Sequence, residues 1–207
     1  MEEKKISEKE SLEIITEMIS RTKERYIGDG NIMLLWGYLS VGIAALVWIM
    51  LVLTRNPMWN WLWFAIGVIG GILTPVLDKK QRNRNGVKSY WDKFTSQMWT
   101  TVGISAMIAT AFCLGFQLIG GVDTWRMMFA IALIIVPFGE ITQGIMLREG
   151  SLQLGGWVGL LAGIFTLCCI AGRIPLNVVW FMPVFIVAFT AMMIVPGHIL
   201  NAKSRRK

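Results

Sequence analysis

The chain has 207 residues, of which 55% are hydrophobic and only 16% charged, against about 25% charged in an ordinary soluble domain. Its net charge of +7 excludes little, because basic residues beside apolar spans are what membrane insertion itself demands; a nucleic-acid partner is not expected. Three cysteines and one histidine, with no Cys-x-x-Cys and no second histidine, exclude a disulfide framework or zinc site.

In chain order, Ser7-Glu-Lys-Glu10 is a capping-box pattern that opens a helix. Leu12, Ile15, Met18, Ile19 and Tyr26 then recur at helical spacing, with Glu17 and Arg21 placed as an i,i+4 pair. Gly28-Asp-Gly30 stops it. Residues 1–29 therefore read as a cytoplasmic amphipathic helix hinged to the membrane part. The first apolar block, Ile32–Leu53, exceeds a signal-peptide core and reads as an uncleaved span.

Six uncharged blocks have the length of a helical bilayer crossing, about 20 residues. They predict spans at 32–53, 60–77, 98–119, 125–146, 154–171 and 178–200 within a domain of residues 30–201, followed by a basic tail, 202–207. The fold class is thus all-α: a polytopic membrane helix bundle of six transmembrane helices. The connections are short except 78–97, which is basic and turned by Asn85-Gly86. Val87, Tyr90, Trp91 and Phe94 share a face there, which predicts a short interfacial helix before the third span.

Lys and Arg set the orientation. Seventeen fall in the N-tail, loop 78–97, Arg148 and the C-tail, and only Arg55, Arg126 and Arg173 fall on the other side. That asymmetry predicts a multi-pass membrane protein with both termini cytoplasmic. Trp59, Trp61, Trp125 and Trp180 occupy outer span ends, and Trp91, Trp99 and Trp157 inner ones, as interfacial indoles do. Trp48 is too deep for such a belt and is expected to pack between helices.

The spans read as three helix hairpin repeats. Leu39-Ser-Val-Gly-Ile-Ala-Ala45 resembles Thr100-Thr-Val-Gly-Ile-Ser-Ala106, and Trp157-Val-Gly-Leu-Leu-Ala162 is of the same kind. Gly42, Gly103 and Gly159 mark the odd spans, and Pro75, Pro137 and Pro196 kink the even ones, both at a period near 60. Small residues at four-residue spacing, Gly67/Gly71, Ser105/Ala109, Ala111/Gly115 and Gly155/Gly159/Gly163, fit close helix contacts. They would serve internal packing or a homo-oligomer.

Each proline precedes an ionisable group: Asp78, Glu140 and His198. Asp78 and His198 mark where helices leave the membrane. Glu140 lies deep in the fourth span, where a carboxyl has to face protein or water or be protonated. Gln143, one turn on, shares its face and is the expected hydrogen-bond partner, with Thr142 a weaker one. Glu140 is either a functional group or a structural anchor. Gln117 is a lesser lead of the same kind, and Asn31 and Asn201 sit at span borders.

Enzyme templates are missing: no H-E-x-x-H, G-x-S-x-G, P-loop or Rossmann fingerprint. No catalytic residue, metal or cofactor is expected. The span layout of residues 30–200 resembles small six-span bacterial inner-membrane proteins and is similar to the HdeD-type acid-resistance membrane proteins. That resemblance implies a bacterial inner membrane and no particular activity. Beyond the lipid bilayer, the expected partner is a cytoplasmic protein held through residues 8–27. The alternative is a small transporter, permease subunit or channel with Glu140 in its pathway.

Overall fold

The computed structural model describes the backbone of residues 7–27, 30–85 and 90–205, with the side chains of all but residues 8, 20–27, 80–85, 90–92 and 205. Everything described is helix or connection, with no strand among the described residues. The helices are α1 (Glu8–Ile27), α2 (Asn31–Thr54), α3 (Trp63–Asn85), α4 (Tyr90–Leu118), α5 (Trp125–Leu147), α6 (Gly150–Ala171), α7 (Val178–Phe189) and α8 (Val195–Arg205). A 3₁₀ turn, Pro57–Leu62, leads into α3, and a π-helical turn, Thr190–Ile194, joins α7 to α8 without a break.

Six of these segments are long and apolar enough to cross a membrane: Asn31–Thr54, Pro57–Lys79, Lys93–Leu118, Trp125–Leu147, Gly150–Ala171 and Val178–Ser204. Helix is the form that such sequences must take in hydrocarbon, where every backbone N–H and C=O needs a partner from its own segment. The chain is a multi-pass membrane protein.

Two expectations change. Instead of a separate interfacial helix, α4 runs unbroken from Tyr90 into the third span, since nothing from Tyr90 onward interrupts the backbone ladder. The basic tail likewise continues α8 to Arg205. The turn at Gly86, the face of Val87, Tyr90 and Trp91, the stop at Gly28-Asp29 and the Glu17–Arg21 pair lie wholly or partly outside the described residues. At the start of α1, the Ser7 hydroxyl accepts the Glu10 N–H at 3.2 Å, the N-terminal half of the expected box.

The buried core belongs to α2, α5, α6 and the α7–π–α8 segment. At the end away from the termini (the distal end), Phe129, Phe181, Phe185 and Trp63 pack edge to face, their ring centroids 5.1–5.5 Å apart in the Phe129 and Trp63 pairs. Such pairs add about 0.5–1.5 kcal/mol beyond the area they bury. Trp48 packs against this cluster. At the other end, Lys203 closes on Glu149 at 2.6 Å and Asn201 donates to Asn31 at 3.0 Å, tying α8 to the α5–α6 connection and to α2.

The tightest seam lies on α6. A methyl on Gly156 would meet the Pro137 carbonyl at 2.9 Å and the Ile141 nitrogen at 3.0 Å, and one on Gly163 would collide with the Leu133 carbonyl. Gly155 and Gly159 do the same for the last span, meeting the Met192 Cα at 3.0 Å and the Met192 sulfur at 2.5 Å. Glycine is required here because backbones touch. By contrast, Gly42, Gly67, Gly71, Gly103 and Gly115 have open space where a Cβ would go. In α3 the contact glycine is Gly70, where a Cβ would meet the Trp36 ring at 2.6 Å.

Gly156→Ala and Gly163→Ala are each expected to lower stability by about 1–3 kcal/mol through overpacking. Gly67→Ala and Gly103→Ala should cost nothing measurable. Unfolding by denaturing detergent, read by helical circular dichroism, checks the contrast; equal losses at all four positions would contradict the seam.

Candidate functional site

Phe129, Leu133, Val136 and Glu140 succeed one another at spacings of four, three and four, so they form one stripe along α5. The first two belong to the distal core. Glu140 ends the stripe in the half of the bundle that holds the termini, and its exposure is 0%. Neither carboxyl oxygen has a hydrogen-bond partner among the described residues.

The expected partner is engaged elsewhere. Gln143 accepts the indole N–H of Trp99 at 2.8 Å, which pins α5 to α4, and the Thr142 hydroxyl donates to the Phe138 carbonyl of its own helix at 2.8 Å. On a helix Gln143 sits about 300° around from Glu140, close enough to share a broad face yet turned toward a different neighbour. Gly139, on that same side, lies 3.3 Å from Val102 and 3.7 Å from Trp99 when given a Cβ. The anchor reading of Glu140 therefore finds no anchor among the described residues.

The two other ionisable residues have different surroundings. Asp78 is exposed on α3. His198 is exposed on α8, and its Nε2 is joined to the Tyr38 hydroxyl at 2.6 Å, with the two rings edge to face at 5.8 Å. The kinking prolines divide in the same way. Pro137 and Pro196 are fully buried and Pro75 is exposed. Gln117 has a structural task, its carbonyl accepting the Thr124 N–H at 3.1 Å ahead of α5. No cluster of His, Cys, Asp or Glu able to hold a metal ion occurs among the described residues.

Several features had no clear signal in the sequence. Trp36 donates to Thr74 at 3.0 Å between α2 and α3, and Gln153 donates to the Gly144 carbonyl at 3.1 Å between α6 and α5. The π turn is the chief of them. Its Val195 N–H reaches back five residues to the Thr190 carbonyl, and Pro196 has no N–H with which to continue the ladder. The Ala191 carbonyl faces α6, 3.1 Å from where a Gly155 methyl would sit. In α5, Pro137 similarly leaves the Leu133 carbonyl without its usual donor, and that oxygen faces Gly163. Both proline-broken helices thus turn a freed carbonyl toward an α6 glycine, where a Cα–H can serve as a weak donor. Glu140 stands one turn beyond the first of these breaks.

A shallow open hollow of about 340 Å³ lies at the distal end between Asn56, Met58, Trp59, Trp61 and Leu62. It has no ionisable wall, and it is remote from Glu140 along the bundle.

A buried carboxyl with no partner costs stability. Glu140→Met, of similar length and apolar, is expected to stabilise the folded protein by about 1–3 kcal/mol. Trp99→Phe, which strands Gln143, should cost about 1 kcal/mol. Detergent unfolding of both variants checks the pair. A destabilised Glu140→Met would show that the carboxyl holds the bundle together.

No family model, no curated protein and no solved structure matches the chain.

Proposed function

We propose that the chain is a non-enzymatic membrane component that assembles with a protein partner through its N-terminal helix. One observation carries the reading. Leu12, Ile15, Met18 and Ile19 of α1 are each more than half exposed, although α1 touches the bundle at α8. Four large apolar side chains at helical spacing form a stripe that water disfavours, and a helix-in-groove contact is the usual way to cover one. Residues 1–30 carry eight acids and six bases, a net −2 that suits a protein groove better than anionic lipid.

In this reading α1 is an amphipathic cytoplasmic helix, the Lys and Arg asymmetry supports two cytoplasmic termini, and the membrane is the bacterial inner membrane that the resemblance implies. The six spans descend from three helix hairpins whose later divergence leaves only Glu140 of the three ionisable groups buried. The open Gly67/Gly71 face of α3 would suit a homo-oligomer or a membrane partner. Neither metal nor cofactor enters the reading.

A second reading, a small transporter, permease subunit or channel, is favoured by Glu140 alone. A carboxyl without a partner in the middle of a bundle is the kind of group that ion pathways keep.

Deleting residues 8–27 and comparing the proteins that co-purify tests the first reading. Loss of a defined protein is expected, and an unchanged set would contradict it. For the second, Glu140→Gln in liposomes should change proton- or cation-linked flux, and identical flux would remove it.

A further inference from the structure

Glu140 is unusual for what its neighbours lack as much as for its own burial. The spans at 31–54, 57–77, 94–118, 127–147, 150–171 and 178–200 contain no other Asp or Glu and no Lys or Arg. The titratable groups of the packed elements all lie toward span ends or are engaged with each other. Tyr38 of α2 is bonded to His198 of α8, and Glu149 before α6 is paired with Lys203 of α8. Lys93 stands in the first turn of α4, with Asp92 beside it in sequence, while Arg148 caps the end of α5 and Asp78 ends the apolar part of α3. Arg126 at the distal start of α5 is paired with Asp123 at 3.7 Å. Cys113 and Cys169 are buried in the distal halves of α4 and α6, and Cys168 is exposed there. No cation from this chain reaches the Glu140 oxygens, and no donor does either, among the described residues.

A charged carboxylate in such a place would be uncompensated on every side, so the group is carried as the uncharged acid or with an ion that enters from outside. The spans hold no second carboxylate, and no group of three or more His, Cys, Asp or Glu that could build a coordination shell for a metal cation occurs among the described residues. A proton needs none.

The backbone nearby is broken on two helices. Pro137 interrupts the ladder of α5 one turn before Glu140, and the π turn with Pro196 interrupts the last span. Both breaks rest on α6: Gly156 and Gly159 meet Pro137, Gly155 meets Pro196, and Gly155 and Gly159 meet Met192 of the π turn. Interrupted helices packed on a glycine face can shift with few side-chain bonds at stake, here that of Gln153 to the Gly144 carbonyl, and π turns recur where helices carry function.

We propose that Glu140 is a proton-binding site: its carboxyl is the uncharged acid while α5 is seated on α6, and the proton enters and leaves when α5 draws back from the Gly156 face. This deepens the pathway reading, on which any use of the proton in transport rests. The site itself is read without measuring flux.

Infrared spectroscopy of the full-length protein in nanodiscs of neutral phospholipid tests it. At pH 7 the wild type is expected to show the carbonyl stretch of a neutral carboxyl that both Glu140→Gln and Glu140→Met lack. Sodium or potassium added at constant pH should leave that band unchanged. Transfer to heavy water should shift it slowly, and several-fold faster in Gly156→Ala, whose methyl wedges the seam. A wild type without the band, or a band abolished by sodium or potassium, overturns the proposal; so does exchange within the mixing time in both proteins. Should the band be present while Glu140→Gln leaves liposome flux unchanged, the proton site stands and the pathway reading falls.

Discussion

Hydrocarbon offers no partner to a peptide group, and that constraint governs every feature of this chain. It forces the six uncharged blocks into helices that close their own ladders. It also makes each break in a ladder costly unless protein covers it. The two breaks buried in the bundle, at Pro137 and at the π turn before Pro196, are both pressed against α6. The exposed Pro75 has no such cover from a glycine neighbour among the described residues, since Gly67 and Gly71 on its own helix face open space.

The glycines of α6 answer the same requirement. Between helices in lipid the usual hydrophobic drive is lost, so association depends on close van der Waals packing. Gly155, Gly156, Gly159 and Gly163 let two helices approach at backbone distance, one on each side. The result is a core of α5, α6 and the last span with α2 laid against it through Gly37, where a Cβ would meet Ile194 at 2.9 Å. In contrast, α3 and α4 attach through aromatic side chains, with Trp36 over Gly70, Trp63 on Phe129 and Phe185, and Trp99 on Gln143.

Span number and position were legible because length and lack of charge decide them. The deep, non-belt place of Trp48 was legible for the same reason, and so was Gly155/Gly159/Gly163 as a contact face. The partner of Gln143 was not, because helical spacing tells which residues share a face and leaves open which neighbour the face meets. Gly67 and Gly71 show the same limit. Their spacing matches that of the α6 glycines, but only Gly70 between them takes a neighbour, since the approach of Trp36 depends on α2. The π turn left no trace because its cause, a proline six residues beyond Thr190, is also compatible with an ordinary kink.

Glu140 joins these levels. Its place on the Phe129–Leu133–Val136 stripe is set by the helical period, its burial by the packing of the bundle, and its isolation by the same absence of charge that makes the chain a membrane protein. All of this presupposes alternating crossings with both ends on one side. Single cysteines at Gly121 and Ala202, in a chain lacking Cys113, Cys168 and Cys169, test that directly with a membrane-impermeant maleimide on intact cells. Labelling at 121, and at 202 only after the membrane is opened, is the result expected. Labelling of both from outside, or of neither, would contradict the six-span arrangement.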